Sequence, residues 1–235
     1  MTRNSRRRNA VVSTKLPAAA YDADCRRCPR LATFLDTVHA KHPRYFCRPV
    51  PPFGSGEARL VIVGLAPGMH GANATGRPFT GDYAGKLLYA TLFKFGFATR
   101  PESRGADDGL QLLDARITNA VKCLPPGNKP LPAEIRECNG YLGVELSALP
   151  EGAAVLALGR IAHEASLRAL GRSPREHAFA HGAEHALDRG ARLFDSYHCS
   201  RQNTNTRRLT PPMFESVFAA IARHLAGEPS AARAA

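Results

Sequence analysis

The stretch ARLVIVGLA, residues 58–66, decides the fold of this chain. It is a short, continuous apolar run bounded by glycine, and a long glycine-rich segment follows it. Runs of this kind are typical of a strand that is buried on both faces, as in the sheets of α/β proteins. We therefore expect a strand here, with helices packed on both of its sides.

The rest of the chain alternates in the same way. Three more apolar runs predict strands at 115–121, 153–159 and 191–198. Helical spacing of apolar residues predicts helices at 31–42, 83–96, 132–149, 160–171 and 211–227. This alternation predicts a three-layer α/β/α sandwich with a central, mainly parallel, four-stranded sheet. We place it in one domain, residues 21–226, between a basic disordered tail (1–20) and a frayed C-terminal tail (227–235).

Composition excludes several classes of protein. With 44% hydrophobic and 22% charged residues, the chain is neither disordered nor collagen-like. No uncharged apolar run approaches the ~18 to 20 residues that span a bilayer. The basic N-terminus lacks the apolar core of a secretion signal. We expect a soluble protein of the cytoplasm that does not act at a membrane.

The formal charge of +12 predicts a polyanionic partner such as nucleic acid. Residues 1–20 carry five basic side chains and no acid, so the tail accounts for five of these charges and the body for seven. A solvated, arginine-rich surface is the alternative explanation.

Six cysteines without a secretion signal indicate a reducing compartment and argue against disulfides. Cys25 and Cys28 form a CxxC, but no second close pair follows, so a two-knuckle zinc ribbon does not fit. The helical segment before Cys138 could bring Cys138 close to Cys123. Four soft ligands from distant segments suit an iron-sulfur cluster or a structural zinc. The pattern does not separate these two from four buried, unligated cysteines.

Three polar segments follow predicted strands, where ligands bind in α/β folds. They are GLAPGMHGANATGRPFTGD (64–82), NAVKCLPPGNKPLPAEIREC (119–138) and YHCSRQNTNTRRLT (197–210). The first has neither a Walker GKS/T nor a GxGxxG, which argues against a nucleotide triphosphatase or a dinucleotide enzyme. The third is a polar loop with three arginines and no acid, which is typical of phosphate contacts.

Together the three segments resemble the motifs of the uracil-DNA glycosylase superfamily, in particular its family 5, the B-type iron-sulfur enzymes. The resemblance extends from about residue 21 to residue 226 and includes the final HPS-type DNA loop. It implies a monomeric DNA-repair enzyme, associated with the bacterial nucleoid, that hydrolyses the N-glycosidic bond of uracil and leaves an abasic site. It also implies a structural 4Fe-4S cluster on Cys25, Cys28, Cys123 and Cys138, with Cys47 and Cys199 left over.

The resemblance also implies roles for single residues. Asp82 would supply the catalytic carboxylate, Asn119 would bind the base edge, and His198 would donate to a base carbonyl. Phe79 would stack on the base, and the backbone of the segment that holds Gly64, Leu65, Ala66 and Gly68 would complete the pocket. The DNA-binding residues would be Arg201, Gln202, Asn203, Arg207 and Arg208, with Gln202 and Asn203 as candidate wedges.

Each of these residues has a structural alternative. Asp82 is also placed to cap the following helix. Phe79 could be a core anchor, and Asn119 could satisfy backbone groups at a strand end. His198 could be an interior histidine, like any of four others at 163, 177, 181 and 185. Arg207 and Arg208 could form a solvated face.

The chain also departs from the superfamily pattern. Leu65 and Ala66 stand where many members carry an acid or Asn, an absence that family 5 shares. This predicts a looser pocket that also accepts other deaminated bases, hypoxanthine and xanthine. Cys199 replaces the Pro of the HPS motif, and Arg207 stands where Gly is frequent. A non-catalytic protein that binds damaged or abasic DNA, or an iron-sulfur redox module, is the alternative function.

Overall fold

Residues Leu60–Gly64 form a strand that is buried along its whole length, as the sequence predicts. The computed structural model describes residues 17–228. The strands are β1 (Phe53–Gly54), β2 (Leu60–Gly64), β3 (Ala115–Asn119), β4 (Ala154–Leu158), β5 (Glu184–Ala186) and β6 (Arg192–Ser196). The helices are α1 (Pro29–Lys41), α2 (Ala72–Thr75), α3 (Tyr83–Lys94), α4 (Pro132–Ser147), α5 (Arg160–Ala169), α6 (Arg201–Asn205) and α7 (Pro211–Leu225).

The sheet has the order β1-β3-β2-β4-β6-β5. The four predicted strands, β2, β3, β4 and β6, are its parallel centre. The predicted count of four is too low, because β1 and β5 add short antiparallel edges. These edge strands have two and three residues and none that is buried, so no apolar run marks them in the sequence. The three-layer α/β/α prediction is confirmed.

Alternate side chains of β2 enter different layers. Leu60 and Ile62 pack in the core cluster that contains the apolar faces of α3 and α7. Val61 and Val63 pack in the cluster that contains α4 and α5. Because both faces are covered by helices, every residue of this strand is apolar or glycine.

The parallel strands end at one edge of the sheet, where the glycine-rich segment, the cysteine-containing segment and the segment after β6 meet. The last of these differs from the predicted loop, since it contains the single-turn helix α6. The Ser200 side chain caps this helix by accepting the Asn203 N–H, at 3.4 Å. A single turn is too short to show helical periodicity in the sequence.

Most of the predicted tails lie outside the described residues, namely 1–16 and 229–235. Residues Ala18–Ala20, placed in the predicted tail, form a 3-10 turn with Ala20 buried. These three residues therefore have defined structure ahead of the predicted domain boundary at residue 21. Within residues 17–228, no helix combines the length and the apolar character that crossing a membrane requires.

Candidate active site

A cavity of about 560 Å³ opens at the carboxyl ends of the parallel strands. Its volume lies in the range of small-ligand pockets. It brings together predicted residues from all three segments. They are Leu65, Ala66, Gly68, Phe79, Asp82, Asn119, His198, Arg201 and Gln202.

Phe79 forms one wall of the cavity and is almost fully buried. Its backbone has φ of +56°, a left-handed conformation that is unfavourable for a non-glycine residue. Two contacts hold it there. The Tyr89 hydroxyl donates to the Pro78 carbonyl at 2.8 Å. A Cβ at Gly85 would lie 1.8 Å from the Phe79 carbonyl oxygen, so only glycine permits this approach.

Gly64 ends β2 directly beneath two predicted pocket side chains. A Cβ at this position would lie 2.4 Å from Asn119 Oδ1 and 2.8 Å from the Phe79 ring. The residue is therefore glycine for a packing reason. It lets the base-edge amide and the aromatic wall come close together.

Asp82 lies at the mouth of the cavity and is the N-cap of α3. Its Oδ1 accepts the Gly85 N–H at 2.9 Å, so the predicted cap exists. The same carboxyl group also lines the cavity, so capping the helix does not remove it from the site. Burial raises the pKa of Asp82, while the N–H groups of Gly85 and Ala84 work in the opposite direction. The carboxylate is thus held in a poorly solvated position beside the cavity.

His198, two residues after β6, also lines the cavity. Burial lowers the pKa of His198 to about 4, so the imidazole is neutral near pH 7. The Asn203 side chain donates to the His198 carbonyl at 2.8 Å. That contact occupies Asn203 in holding His198, which speaks against Asn203 as a wedge. Gln202 is exposed and lines the cavity.

A buried polar network lies behind Asn119. The Lys122 ammonium donates to the Asn119 carbonyl at 3.1 Å and pairs with Glu145. Sequence reasoning missed this network, because a lysine in a polar segment is ordinarily exposed. It fixes the end of β3 and with it the position of the Asn119 amide.

Further residues at the cavity escaped the sequence analysis. Gly127 and Asn128 come from a turn in the cysteine-bounded segment and line the cavity, each with positive φ. The Pro-Pro-Gly-Asn sequence is the signal that could have found them. Tyr83, the first residue of α3, also lines the cavity and is 36% exposed.

Arg207 and Arg208 are exposed and do not line the cavity. Arg208 lies over the Tyr197 ring, 4.7 Å from its centroid. Arg207 has φ of +57°, the conformation in which glycine is favoured, which accounts for the frequent Gly at this position of the motif. Both face solvent near the segment that carries His198.

The four predicted cysteine ligands meet at a second place, between α1, α4 and the segment after β3. Cys25, Cys28, Cys123 and Cys138 line one cavity with apolar side chains that include Leu31 and Val121. The Lys122 N–H lies 3.3 Å from Cys138 Sγ. Burial and the neighbouring thiols raise the pKa of Cys123 to about 12. Four thiolates here would therefore require a cationic group among them.

The spacing of the sulfurs bears on the kind of group. A tetrahedral zinc with Zn–S of ~2.3 Å needs sulfurs within ~4 Å of one another. Within residues 17–228, one group of at least three potential metal ligands has all its donor atoms within 4.8 Å of one another. It consists of His163, His185 and Asp195. No three of the four cysteine sulfurs, all in the described residues, meet this 4.8 Å limit. An all-thiolate donor set suits either an iron-sulfur cluster or a zinc ion.

The two remaining cysteines are buried elsewhere. Cys47 accepts a hydrogen bond from the Asn73 side chain at 3.4 Å. Cys199 is fully buried, and both its burial and the nearby charge of Asp82 raise its pKa.

His163 is an interior histidine of the kind that was the alternative for His198, since it pairs with buried Asp195 at 2.8 Å.

Comparisons with known proteins find similar chains. The family model of the uracil DNA glycosylase superfamily matches residues 51–222. The type-5 uracil-DNA glycosylase of Thermus thermophilus is 49% identical over 208 residues, covering 86% of this chain and 94% of that protein. That of Mycobacterium tuberculosis is 44% identical over 214 residues, covering 86% and 78%. The type-4 uracil-DNA glycosylase of Archaeoglobus fulgidus is 35% identical over 139 residues, covering 59% and 56%.

Proposed function

This chain belongs to the uracil-DNA glycosylase superfamily, and from that membership we propose that it excises uracil from DNA by hydrolysis and leaves an abasic site. The observation that carries the proposal is the convergence of Asp82, Asn119, Phe79 and His198 on one cavity. An enzyme that acts on a base within a duplex must extrude the nucleotide into such a pocket. The protein is accordingly a hydrolase of N-glycosyl bonds that takes part in base excision repair.

The base would stand against Phe79, with its polar edge facing the Asn119 amide. An amide offers both a donor and an acceptor, which suits a base edge that carries a carbonyl beside an N–H. The Lys122 ammonium, which binds the Asn119 carbonyl, keeps the backbone of this residue in place. Gly64 leaves the space that both side chains need.

The glycosidic bond breaks with its electron pair leaving on the base nitrogen. Neutral His198 donates an N–H to a base carbonyl oxygen and stabilises the charge that develops there. The sugar C1′ becomes cationic, and the Asp82 carboxylate stabilises it and orients water. The water oxygen then forms the new bond to C1′, its proton passes to the carboxylate or solvent, and the base anion is protonated after departure.

We also propose that hypoxanthine and xanthine are substrates. Leu65 and Ala66 line the cavity with apolar side chains that place no hydrogen-bonding demand on the base. A cavity of about 560 Å³ leaves room for a purine. Discrimination against purines would require a polar group that rejects them, and these two positions supply none.

The four cysteines are proposed to hold a structural 4Fe-4S cluster. The group would join the segment around Cys25 and Cys28 to the segment after β3 and to α4. The buried Tyr141 hydroxyl finds no hydrogen-bond partner of good geometry in the described residues, and contact with Cys25 raises its pKa. A cluster sulfur would give this hydroxyl an acceptor. We further propose a monomer that acts in the cytoplasm, where thiols stay reduced.

The proposed activity is tested with a panel of duplexes that each carry one uracil, hypoxanthine or xanthine opposite each partner base. Purified brown protein should produce alkali-sensitive abasic sites in the uracil duplex and smaller yields with the two purines. The Asp82→Asn variant is the matched control for contaminating glycosylases. Tight binding to abasic DNA with no base release would instead indicate a damage-binding protein.

A further inference from the structure

A second groove, of about 380 Å³, adjoins the cavity at Asp82. Asp82, Tyr83 and Arg201 line both spaces and form the ridge between them. Lys86, Glu102 and Arg104 also line the groove, and Arg104 pairs with Glu102. A molecule that enters the cavity can therefore continue into the groove without leaving the protein surface.

The ridge carries an aromatic ring with two cations near it. Arg201 lies over the Tyr83 ring, with Cζ 5.3 Å from the centroid, and Lys86 Nζ lies 6.0 Å from it. Lys86 and Arg201 form no ion pair with any residue in 17–228. Tyr83 is 36% exposed although it is large and apolar. The ring and its cations are thus available to a ligand.

These features fit one kind of ligand. Single-stranded nucleic acid is bound where an exposed ring stacks on a base and nearby cations face the phosphates. Arginine planes also stack on bases, so Arg201 extends the flat surface of the ring. A free mononucleotide would not need a groove that continues from the cavity, whereas a strand with one extruded nucleotide would.

We propose that this second groove, lined by Tyr83, Lys86 and Arg201, binds the DNA strand immediately beside the extruded nucleotide. A flanking base stacks on the platform of Tyr83 and Arg201, and the adjoining phosphates face Lys86 and Arg201. The proposal rests on the proposed function, because it takes the extruded base to occupy the cavity. It adds a subsite that holds the DNA open and in register while Asp82 acts.

Binding of a duplex that carries a stable abasic-site analogue tests the groove without base excision. Tyr83→Ala should bind roughly tenfold more weakly than the parent protein, because one stacked base is lost. Tyr83→Phe, which keeps the ring, should bind like the parent. Lys86→Gln should reduce the slope of log affinity against log salt by about one. Phe93→Ala is the matched control, an exposed ring (48%) near the far end of the same helix.

A fluorescent base analogue locates the contact. With 2-aminopurine placed on either side of the abasic analogue, one position should be quenched by the parent and by Tyr83→Phe but not by Tyr83→Ala. Equal affinity and equal quenching for the parent and Tyr83→Ala would overturn the subsite. Uracil excision by the parent, measured in parallel, separates the two proposals. A parent that binds through Tyr83 but releases no uracil would refute the activity and leave the subsite standing.

Discussion

The Phe79 ring stacks on the His198 imidazole, with centroids 5.8 Å apart and planes at 27°. A base inserted between the two rings would need about 6.8 Å, twice the ~3.4 Å rise of stacked bases. The base must therefore stand against the pair, and the two rings act as one wall. This contact also links the glycine-rich segment to the segment after β6, so movement of either ring changes the same pocket.

The low pKa of His198 leads to a prediction about pH. Burial lowers it to about 4, so the imidazole stays neutral through the range in which an ordinary histidine titrates, near ~6.5. The single-turnover rate of uracil excision should show no step near that pH. It should fall only on further acidification, as Asp82 and His198 take up protons. A clear inflection near pH 6.5 that disappears in His198→Asn would contradict the buried, neutral donor.

Asp82 has two functions that one substitution can separate. Asparagine is as good an N-cap as aspartate, so Asp82→Asn should keep the hydrogen bond from the Gly85 N–H. Its free energy of unfolding should therefore lie within a few tenths of a kcal/mol of that of the parent. It lacks the charge, and excision should fall by about 100-fold or more. Asp82→Ala should show the same loss of rate and in addition lose ~1 kcal/mol of stability.

Urea unfolding and single-turnover excision of uracil measure these two effects. A rate in Asp82→Asn close to that of the parent would assign the carboxylate to the cap alone.

Gly64→Ala should displace two side chains that line the pocket. The new Cβ would lie 2.4 Å from Asn119 Oδ1 and 2.8 Å from Phe79, and both neighbours are buried. We expect a loss of stability of ~1 to 3 kcal/mol and a loss of excision of at least tenfold. Gly140→Ala is the control, because nothing lies within 4 Å of its added Cβ and alanine favours the helix. Parent-like excision by Gly64→Ala would contradict the packing argument.

The cysteine assignment is tested by metal content. Cys123→Ser should remove the brown colour and most of the iron, since a thiolate ligand is lost. Cys47→Ser should keep both, because that sulfur only accepts a hydrogen bond from Asn73. Iron and zinc are measured on protein purified without oxygen. One equivalent of zinc and no iron in the parent would overturn the cluster.

The central strands and the pocket residues could be predicted from the sequence because each depends on a local pattern. A continuous apolar run marks β2 whatever packs on it, and a motif fixes Asp82 or His198 by position. The groove beside Tyr83 could not be predicted, since it forms where α3, α6 and the segment 102–104 meet. The same holds for Lys122, which follows β3 and whose burial depends on its pairing with Glu145 in α4. The edge strands β1 and β5 were not predicted, because they are strands through their pairing with β3 and β6 and their own sequences carry no apolar pattern.

The predicted DNA loop shows a further limit of local patterns. The sequence does not distinguish the three arginines of this segment, Arg201, Arg207 and Arg208. Of the three, only Arg201 lines the cavity. The turn of α6 and the positive φ of Arg207 direct the other two toward solvent.

An ion pair joins the glycine-rich segment, two residues before the aromatic wall, to Asp108, which lies outside the three motifs. Arg77 donates to Asp108 Oδ1 at 2.6 Å and to the Ser103 hydroxyl at 3.1 Å, and both charged side chains are nearly buried. Arg77 lies two residues before Phe79, whose backbone is strained. Asp108→Asn should therefore cost ~2 to 4 kcal/mol, because it leaves the arginine charge buried without its partner.

The same variant should change the response to acid. Burial of Asp108 favours the protonated form, but the Leu110 N–H, the Arg77 guanidinium and further N–H groups outweigh it and lower the pKa of Asp108. Because this pKa is lower in the folded protein than in the unfolded chain, where it is ~3.9, the Asp108 carboxylate stabilises the fold above pH ~3.9. This stabilisation is lost as the pH falls from there toward the pKa in the folded protein. The parent should lose stability between about pH 5 and pH 2 more steeply than Asp108→Asn. Asp107→Asn, an exposed neighbour, should follow the parent. Parallel acid curves for all three proteins would contradict the lowered pKa of Asp108 and the pairing with Arg77 that contributes to it.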